Sequence, residues 1–213
     1  MRRRQLLLLG IALLWASGAA AQNPAIPPDA AALLTKAAAA HQDGSAHAAK
    51  FTQVYTPSGF ATSRRESGEV WIQAPQRLRF DYAAPEKKIF TYDSGEGRFF
   101  SPEDKQLTIR KLSPEEVARL PIVFLQRPED LARQYDIQLD AGKSVLLKPR
   151  APDPELAWLK LSIGPAGMVD ALSYEDASGS RTEFRFEDWH KEKPRPPADY
   201  KITGPKGTRI VEN

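Results

Sequence analysis

Residues 77–93 read RLRFDYAAPEKKIFTYD. Leu78, Phe80 and Tyr82 fall on every second position, with Arg79 and Asp81 between them. Side chains on a strand point alternately to its two faces, so this spacing predicts an extended segment with one apolar and one wet face. Beyond Pro85 the pattern resumes, with Phe90 and Tyr92 two residues apart. Consecutive amphipathic strands joined by a tight turn pair antiparallel. The question is what their apolar, aromatic face lies against.

The same period runs outward from this stretch. Residues 49–56 and 66–74 read as strands upstream of it. Downstream, 97–100, 105–111, 135–140, 144–148, 157–163, 168–175 and 181–187 do the same, with two short extended pieces at 200–203 and 208–211. Turn signals divide them: PSG at 57–59, DSGEG at 93–97, SPED at 101–104, DAGK at 140–143, GPAG at 164–167 and DASGS at 176–180. The sum is about eleven strands in an antiparallel meander. Leu107 and Ile109, then Leu159, Leu161 and Ile163, then Phe184 and Phe186 continue the apolar face. Arg77, Arg79, Asp81, Lys160, Ser162, Glu183, Arg185 and Glu187 occupy the alternate positions and are expected to be solvated.

Helices are few. Asp29 as N-cap before AAALLTKAAAA predicts one helix over 29–41. Ser113, Pro114 and Glu116 form a capping box that opens a short helix toward Leu120. The apolar run PIVFLQ at 121–126 and a second short helix at 128–134 complete the interruption. One broad apolar face with so little helix to cover it leaves three architectures: a sandwich, a closed barrel, or a sheet that curls part-way and is lidded by its helices.

Arg2, Arg3 and Arg4, the apolar run Leu6 to Ala16 and the small residues Ala19, Ala20 and Ala21 read as a cleaved signal peptide. The remaining 22–213 is the size of one domain. Removing residues 1–21 takes three arginines and no acid from 30 basic and 27 acidic residues, leaving 27 against 27. The basic excess that would suggest a nucleic-acid partner thereby disappears. The 213 residues include no cysteine, so no disulfide framework is expected and no lipid can be carried on a cysteine at the cleavage point. His41, His47 and His190 lie in no metal-ligand spacing, and there is no nucleophile elbow or phosphate-binding loop. The reading is a binding protein with no catalytic residue, cofactor or metal. Each histidine, like the Arg64–Arg65 pair, is expected to play a solvated or hydrogen-bonded structural part.

Phe51 to Gln106 resembles the LolA family, the periplasmic carriers that move lipoproteins from the inner to the outer membrane. The resemblance rests on FTQ at 51–53, on Gly68 with Trp71, and on P-x-x-x-R-F-x-Y-x-x-P from Pro75 to Pro85. SPEDKQLT at 101–108, and Asp176 with Gly179 before TEFRF, extend it. It implies a mainly β (α+β) fold, an incomplete antiparallel β-barrel with a helical lid over an apolar cavity. By the same resemblance Phe51, Trp71, Leu78, Phe80, Tyr82, Phe90, Tyr92, Leu107, Ile109, Leu159, Leu161, Ile163, Phe184 and Phe186 would line an acyl-chain cavity. Leu33, Leu34, Ile122, Val123, Phe124, Leu125 and Leu131 would form the lid. The implied partners are acylated lipoproteins as cargo, an inner-membrane ABC transporter as donor and an outer-membrane lipoprotein as acceptor, with a monomeric carrier in the periplasm. Two departures stand out. Ala74 occupies the place of a lid-latching arginine in the family, and Asp93-Ser94-Gly95 is one residue longer than its usual hairpin turn. A periplasmic regulatory domain that senses lipid or lipoprotein is the alternative for the same fold. An enzyme acting on envelope lipids ranks third, for want of a nucleophile motif.

Overall fold

A computed structural model gives the fold for residues 26–117, 120 and 127–212. The leader at 1–21 and the lid residues Ile122, Val123, Phe124 and Leu125 lie outside the described residues. Helix α1 runs from Pro28 to His41. Its buried residues Ala30, Leu34, Ala37, Ala38 and His41 recur at helical spacing and form a single stripe. Asp29 sits in the first turn, not at the cap. Pro28 takes the first helical position, where its missing N–H costs nothing, and the Asp29 carboxylate faces the positive helix end.

Six strands follow: β1 (Ala46–Thr56), β2 (Arg64–Gln73), β3 (Arg77–Ala84), β4 (Lys88–Asp93), β5 (Glu96–Ser101) and β6 (Gln106–Lys111). The expected interruption comes next, as α2 (Pro114–Val117) and α3 (Pro128–Gln134). The capping box closes as predicted. Ser113 N–H donates to Glu116 Oε2 at 2.9 Å, and Glu116 N–H donates to Ser113 Oγ at 3.3 Å. Strands β7 (Tyr135–Asp140), β8 (Ser144–Pro149), β9 (Trp158–Ile163), β10 (Val169–Glu175), β11 (Arg181–Glu192) and β12 (Arg209–Glu212) finish the chain. The stretch 200–203 forms no strand.

All twelve described strands belong to one sheet, ordered β12-β6-β5-β4-β3-β2-β1-β11-β10-β9-β8-β7. Pairing is antiparallel throughout, except that β12 lies parallel to β6. The sheet has two edges, β7 and β12, and does not close. Helix α1 rests on β7, β8 and α3. The curled, lidded sheet is therefore the architecture that covers the apolar face.

Pairing fixes which side chains share a face. Val70, Phe80, Phe90, Phe99 and Thr108 lie in one cross-strand row, and Ile72, Leu78, Tyr92, Gly97 and Arg110 in the next. Both rows belong to the concave side, where α1 and the main core lie. Gly68 stands in register with Phe51 and Tyr82. A Cβ there would lie 2.0 Å from the Asp81 carbonyl oxygen, so only glycine fits. The bare position lets the Phe51 and Tyr82 rings meet at 5.0 Å, nearly perpendicular.

Three assignments are reversed, those of Leu107 and Ile109 made by alternation and that of Trp71 made by resemblance. Trp71 pairs with Arg79, Arg79 with Thr91, Thr91 with Arg98 and Arg98 with Ile109. Leu107 falls in the next row of the same side, with Asp81, Ile89 and Phe100. Trp71, Leu107 and Ile109 thus face away from Leu78, Phe80 and Tyr82. Period-two spacing gives the phase within a strand and leaves open which side that phase takes.

That convex side is not uniformly wet either. After β11 the chain crosses back over it. Arg79 Nη1 donates to the Asp199 carbonyl at 2.5 Å, and Arg98 Nη1 to that of Ile202 at 2.9 Å. Arg195 N–H donates to Gln73 Oε1 at 3.2 Å, and the Arg195 guanidinium lies 4.0 Å from the centre of the Trp71 ring. Tyr200 of this strap, 1 % exposed, seats against the sheet. Its ring lies 5.7 Å from the Arg77 guanidinium, and its hydroxyl donates to Gln73 Oε1 at 3.4 Å. The strap ends as β12, which pairs along the edge of β6. Arg77 and Arg79, expected in solvent, are its fasteners.

Candidate functional site

The concave wall is a packed aromatic cluster. Phe51 contacts Phe80 at 5.0 Å edge to face, Phe80 lies 5.7 Å from Phe184, and Phe184 stacks on Phe186 at 6.0 Å. Phe51, Leu78, Phe80, Tyr92, Leu159, Leu161, Ile163, Phe184 and Phe186 are all buried in one cluster with Leu34 of α1 and Leu131 of α3. Leu33, Tyr82 and Phe90 pack against it half-buried. The structure therefore brings these predicted wall and lid residues together, and they fill most of the concavity themselves. Leu172 of β10, Val145 and Leu147 of β8, and Tyr135 and Ile137 of β7 belong to the same cluster and were not singled out from sequence. In β7 Tyr135 and Ile137 alternate as the β3 residues do, whereas in β8 the run Val145-Leu146-Leu147 leaves the phase open.

The filling is uneven. Phe80 is 4 % exposed, Phe90 is half-buried and Phe99 is 40 % exposed, although the three stand side by side. Between this thinning side and β9–β10 lies a pocket of about 400 Å³. Phe90, Leu159 and Tyr174 are among its walls, with Leu112, Leu120 and Leu156. Arg110, Glu116 and Glu155 supply its polar part. Its volume is toward the low end of the roughly 300–1,000 Å³ of small-ligand sites. Glu116 caps α2 and also holds Arg110 at 2.8 Å, which fixes the start of α2 against β6. Leu112 lies directly over Gly97, where a side chain would press on it at 3.2–3.3 Å. Leu112, Leu156 and Tyr174 were missed in the sequence. Tyr174 carried a signal, two residues beyond Leu172 in an alternating strand; Leu156 sits in the proline-rich 149–156 loop and carried none.

Near this pocket the polar groups of the wall are neutral or paired. Tyr82 donates its hydroxyl to Gln53 Oε1 at 2.8 Å, and burial pushes its pKa well above the ordinary phenol range. Burial raises Tyr174 in the same sense. Lys88 lies 4.5 Å from the centre of the Tyr82 ring and is ion-paired to Glu66. Both phenols stay uncharged at neutral pH, so the wall offers area and polarisable faces with no fixed charge.

The far end of α1 is anchored differently. His41 and His47, each 1 % exposed, lie 5.2 Å apart, and the Trp189 ring meets His41 edge-on at 5.5 Å. His41 Nδ1–H donates to the Ala37 carbonyl at 3.0 Å. Burial lowers His41 to about 4, helped by the neighbouring His47. Burial also lowers His47, against a pull from Asp43, whose Oδ1 is 3.8 Å from His47 Nε2. These histidines are uncharged parts of the core; His190, by contrast, is exposed.

A larger groove, about 660 Å³, lies on the convex side over β11, β1, β2 and β3. Lys50, Glu69, Asp81, Arg185 and Glu187 line it, with the apolar Ala83, Ile89 and Pro102 beside them. Among the described residues, no helix is long and apolar enough to cross a membrane.

Comparison with known proteins bears on this geometry. Residues 43–203 match the family described as outer membrane lipoprotein carrier protein LolA. An outer-membrane lipoprotein carrier protein of Xanthomonas campestris pv. campestris is 30 % identical over 169 residues, covering 76 % of this chain and 79 % of that one. Its counterpart from Dechloromonas aromatica is 26 % identical over 168 residues, with the same coverages. Among solved structures, an uncharacterized conserved protein from Thermus thermophilus superposes with a TM-score of 0.52 at 13 % identity, covering 85 % of this chain and 98 % of that one, a likeness of fold alone.

Proposed function

The chain belongs to the LolA family of outer membrane lipoprotein carriers, and from that premise we propose that it holds the acyl chains of lipoproteins on its concave face and carries them through the periplasm. Residues 1–21 would be its export signal, and the mature carrier would begin near Gln22 and act as a monomer. The donor would be an inner-membrane ABC complex and the acceptor an outer-membrane lipoprotein. Its chemistry is binding without bond-making.

The observation that carries the reading is the graded filling of one apolar wall, closed at Phe80 and open at Phe99, with a pocket beside it. Moving a CH₂ group into water costs about 0.8 kcal/mol, so one long acyl chain costs on the order of 10 kcal/mol. An apolar wall of comparable quality offsets this. A wall that binds too well cannot release, and here the rings already satisfy one another. Entering chains must displace those contacts, which holds net affinity down and favours hand-over. The mobile parts would be α1 and α3, with the Leu112–Gly97 contact as a fixed point beside the pocket.

The test is loading of a triacylated lipopeptide by Phe90→Glu, which places a carboxylate in the pocket wall. Loading is expected to fall more than tenfold with the thermal transition largely retained, because Phe90 is only half-buried. Loading equal to that of the wild type would remove the pocket from the acyl path.

A further inference from the structure

The β1–β2 hairpin ends in residues 57–63, and its tip carries Phe60, 66 % exposed. The tip is held in place. Thr56 and Ser63 hydroxyls meet at 2.8 Å across its base, and Phe60 N–H donates to the Pro57 carbonyl at 3.2 Å. Ser58 N–H donates to Ser180 Oγ at 3.2 Å, tying the tip to the β10–β11 turn. A large ring presented to solvent on a braced turn is not a consequence of slack chain.

Arg64 and Arg65 follow at once, both exposed. Arg64 lies over the Tyr55 ring at 5.4 Å, and Arg65 Nη2 reaches Thr52 Oγ1 at 3.5 Å. Neither is ion-paired to a described carboxylate. The sequence holds no acid between Asp43 and Glu66. Glu66 is taken by Lys88, Arg181 is paired with Glu183, and Asp176 of the neighbouring turn accepts Ser178 and Ser180 N–H groups at 2.8 and 2.9 Å. The tip thus combines one protruding aromatic ring with two guanidinium groups lacking counter-ions.

We propose that this tip is a membrane-contact point, with Phe60 entering the headgroup boundary of an anionic bilayer while Arg64 and Arg65 engage lipid phosphates. Guanidinium groups match phosphate geometry, and an isolated ring suits the interfacial zone. A protein partner would need roughly 800 Å² of surface on this side, which a single ring on a narrow turn does not supply. The tip also shares a rim with the pocket. Tyr174 pairs with Thr182, and Thr182 with Tyr55, just before the tip. Membrane contact would therefore bring the pocket mouth to the lipid surface. That consequence rests on the carrier reading; the contact itself does not.

The experiment is co-sedimentation of the mature chain with vesicles of phosphatidylethanolamine and phosphatidylglycerol, at low and high salt. Arg64→Ser and Arg65→Ser are each expected to weaken binding about fivefold, Phe60→Ser at least as much, and Leu139→Ser on β7 not at all. Because the chain lacks cysteine, Phe60→Cys can carry a polarity-sensitive fluorophore, whose emission should shift blue on these vesicles and stay fixed on phosphatidylcholine. Equal binding by all variants, equal binding to neutral vesicles, no emission shift, or binding only when a membrane protein is present would each overturn the proposal. Lipopeptide loading in solution by the tip variants should equal that of the wild type, so failure of the carrier reading and failure of membrane contact give different results.

Discussion

Strands β2 to β6 bury apolar side chains on both faces, and the two faces do so differently. On the concave face, Val70, Ile72, Leu78, Phe80 and Tyr92 pack against one another and against rings from β1 and β11, with α1 and α3 completing the cover over β7 and β8. On the convex face, Trp71 is covered by Arg195 of a strap of the same chain, and the strap is fastened by hydrogen bonds from Arg79 and Arg98 to backbone carbonyls. Arg79 also holds Asp81 at 2.7 Å, and Arg98 holds Glu96 at 2.7 Å. The concave side is closed by contacts without direction, which yield gradually when a lid moves. The convex side is closed by directed bonds, which break all at once. If the concave face opens to cargo as proposed, the strapped face would hold the sheet in shape.

The severest way to break this comparison is Leu78→Glu. Leu78 is 0 % exposed and touches the centre of the concave cluster. A carboxylate there has no partner, and lost packing adds to the cost of burying a charge, for a total of more than about 5 kcal/mol. The variant is expected to lack a cooperative thermal transition by circular dichroism. A folded variant that merely fails to load would mean that the wall is a preformed cavity and not a core.

Trp71→Ala strikes the other face. Truncating a buried aromatic costs about 3–5 kcal/mol, and the Arg195 stack is lost with it. A lower melting temperature is expected, with unchanged lipopeptide affinity in whatever fraction stays folded. If affinity falls with stability, the two faces are coupled.

The contrast between these substitutions could not be had from the sequence. RLRFDY and KKIFTYD gave the strands and their phase; the Ser113–Glu116 box was legible because capping chemistry is local, and 128–134 because Pro128 takes a first helical position. In β6 the phase of Leu107 and Ile109 was equally plain, but its side was not, because an apolar phase can be buried from either side of the sheet. The cover itself, PRPPADYKITG at 194–204, has no period to read. Its one buried ring, Tyr200, is recognisable only once Gln73 and Arg77 are seen around it. The pocket was half legible. Phe90 and Leu159 follow from alternation, whereas Leu156 and Leu112 reach it from loops, where position depends on tertiary contacts.

Acid should separate the faces next. His41 has a value of about 4 in the fold against 6.5 for a free imidazole. Between these values the unfolded chain binds more protons, so stability is complete above 6.5 and is lost progressively as pH falls toward 4. His47 is lowered in the same direction. Asp43 opposes both shifts, and it is itself held by Lys191 at 2.5 Å. His41 alone accounts for a loss on the order of 3 kcal/mol. Hydrogen exchange is expected to accelerate in 28–41 before it does in 193–208 as pH is lowered through this window. Exchange rising first in the strap would show that the histidine pair does not anchor α1.

The smallest structural effect is expected at Phe99, and it sharpens the comparison most. Phe99 continues the row Val70–Phe80–Phe90 yet remains 40 % exposed, so it holds little of the fold together. Replacing it by serine should change stability by no more than about 0.5 kcal/mol. If acyl chains enter along the thinning side of the wall, the same change removes apolar area that they would cover, about 2 kcal/mol for an aromatic side chain that becomes fully buried only when cargo is present. That corresponds to a loss of lipopeptide affinity of roughly thirtyfold. Stability and loading would then be carried by different residues of a single row, Phe80 for the fold and Phe99 for the cargo. Titration calorimetry beside thermal melts decides it: affinity unchanged in Phe99→Ser would place entry on the β9–β10 side of the pocket, at Leu156 and Tyr174.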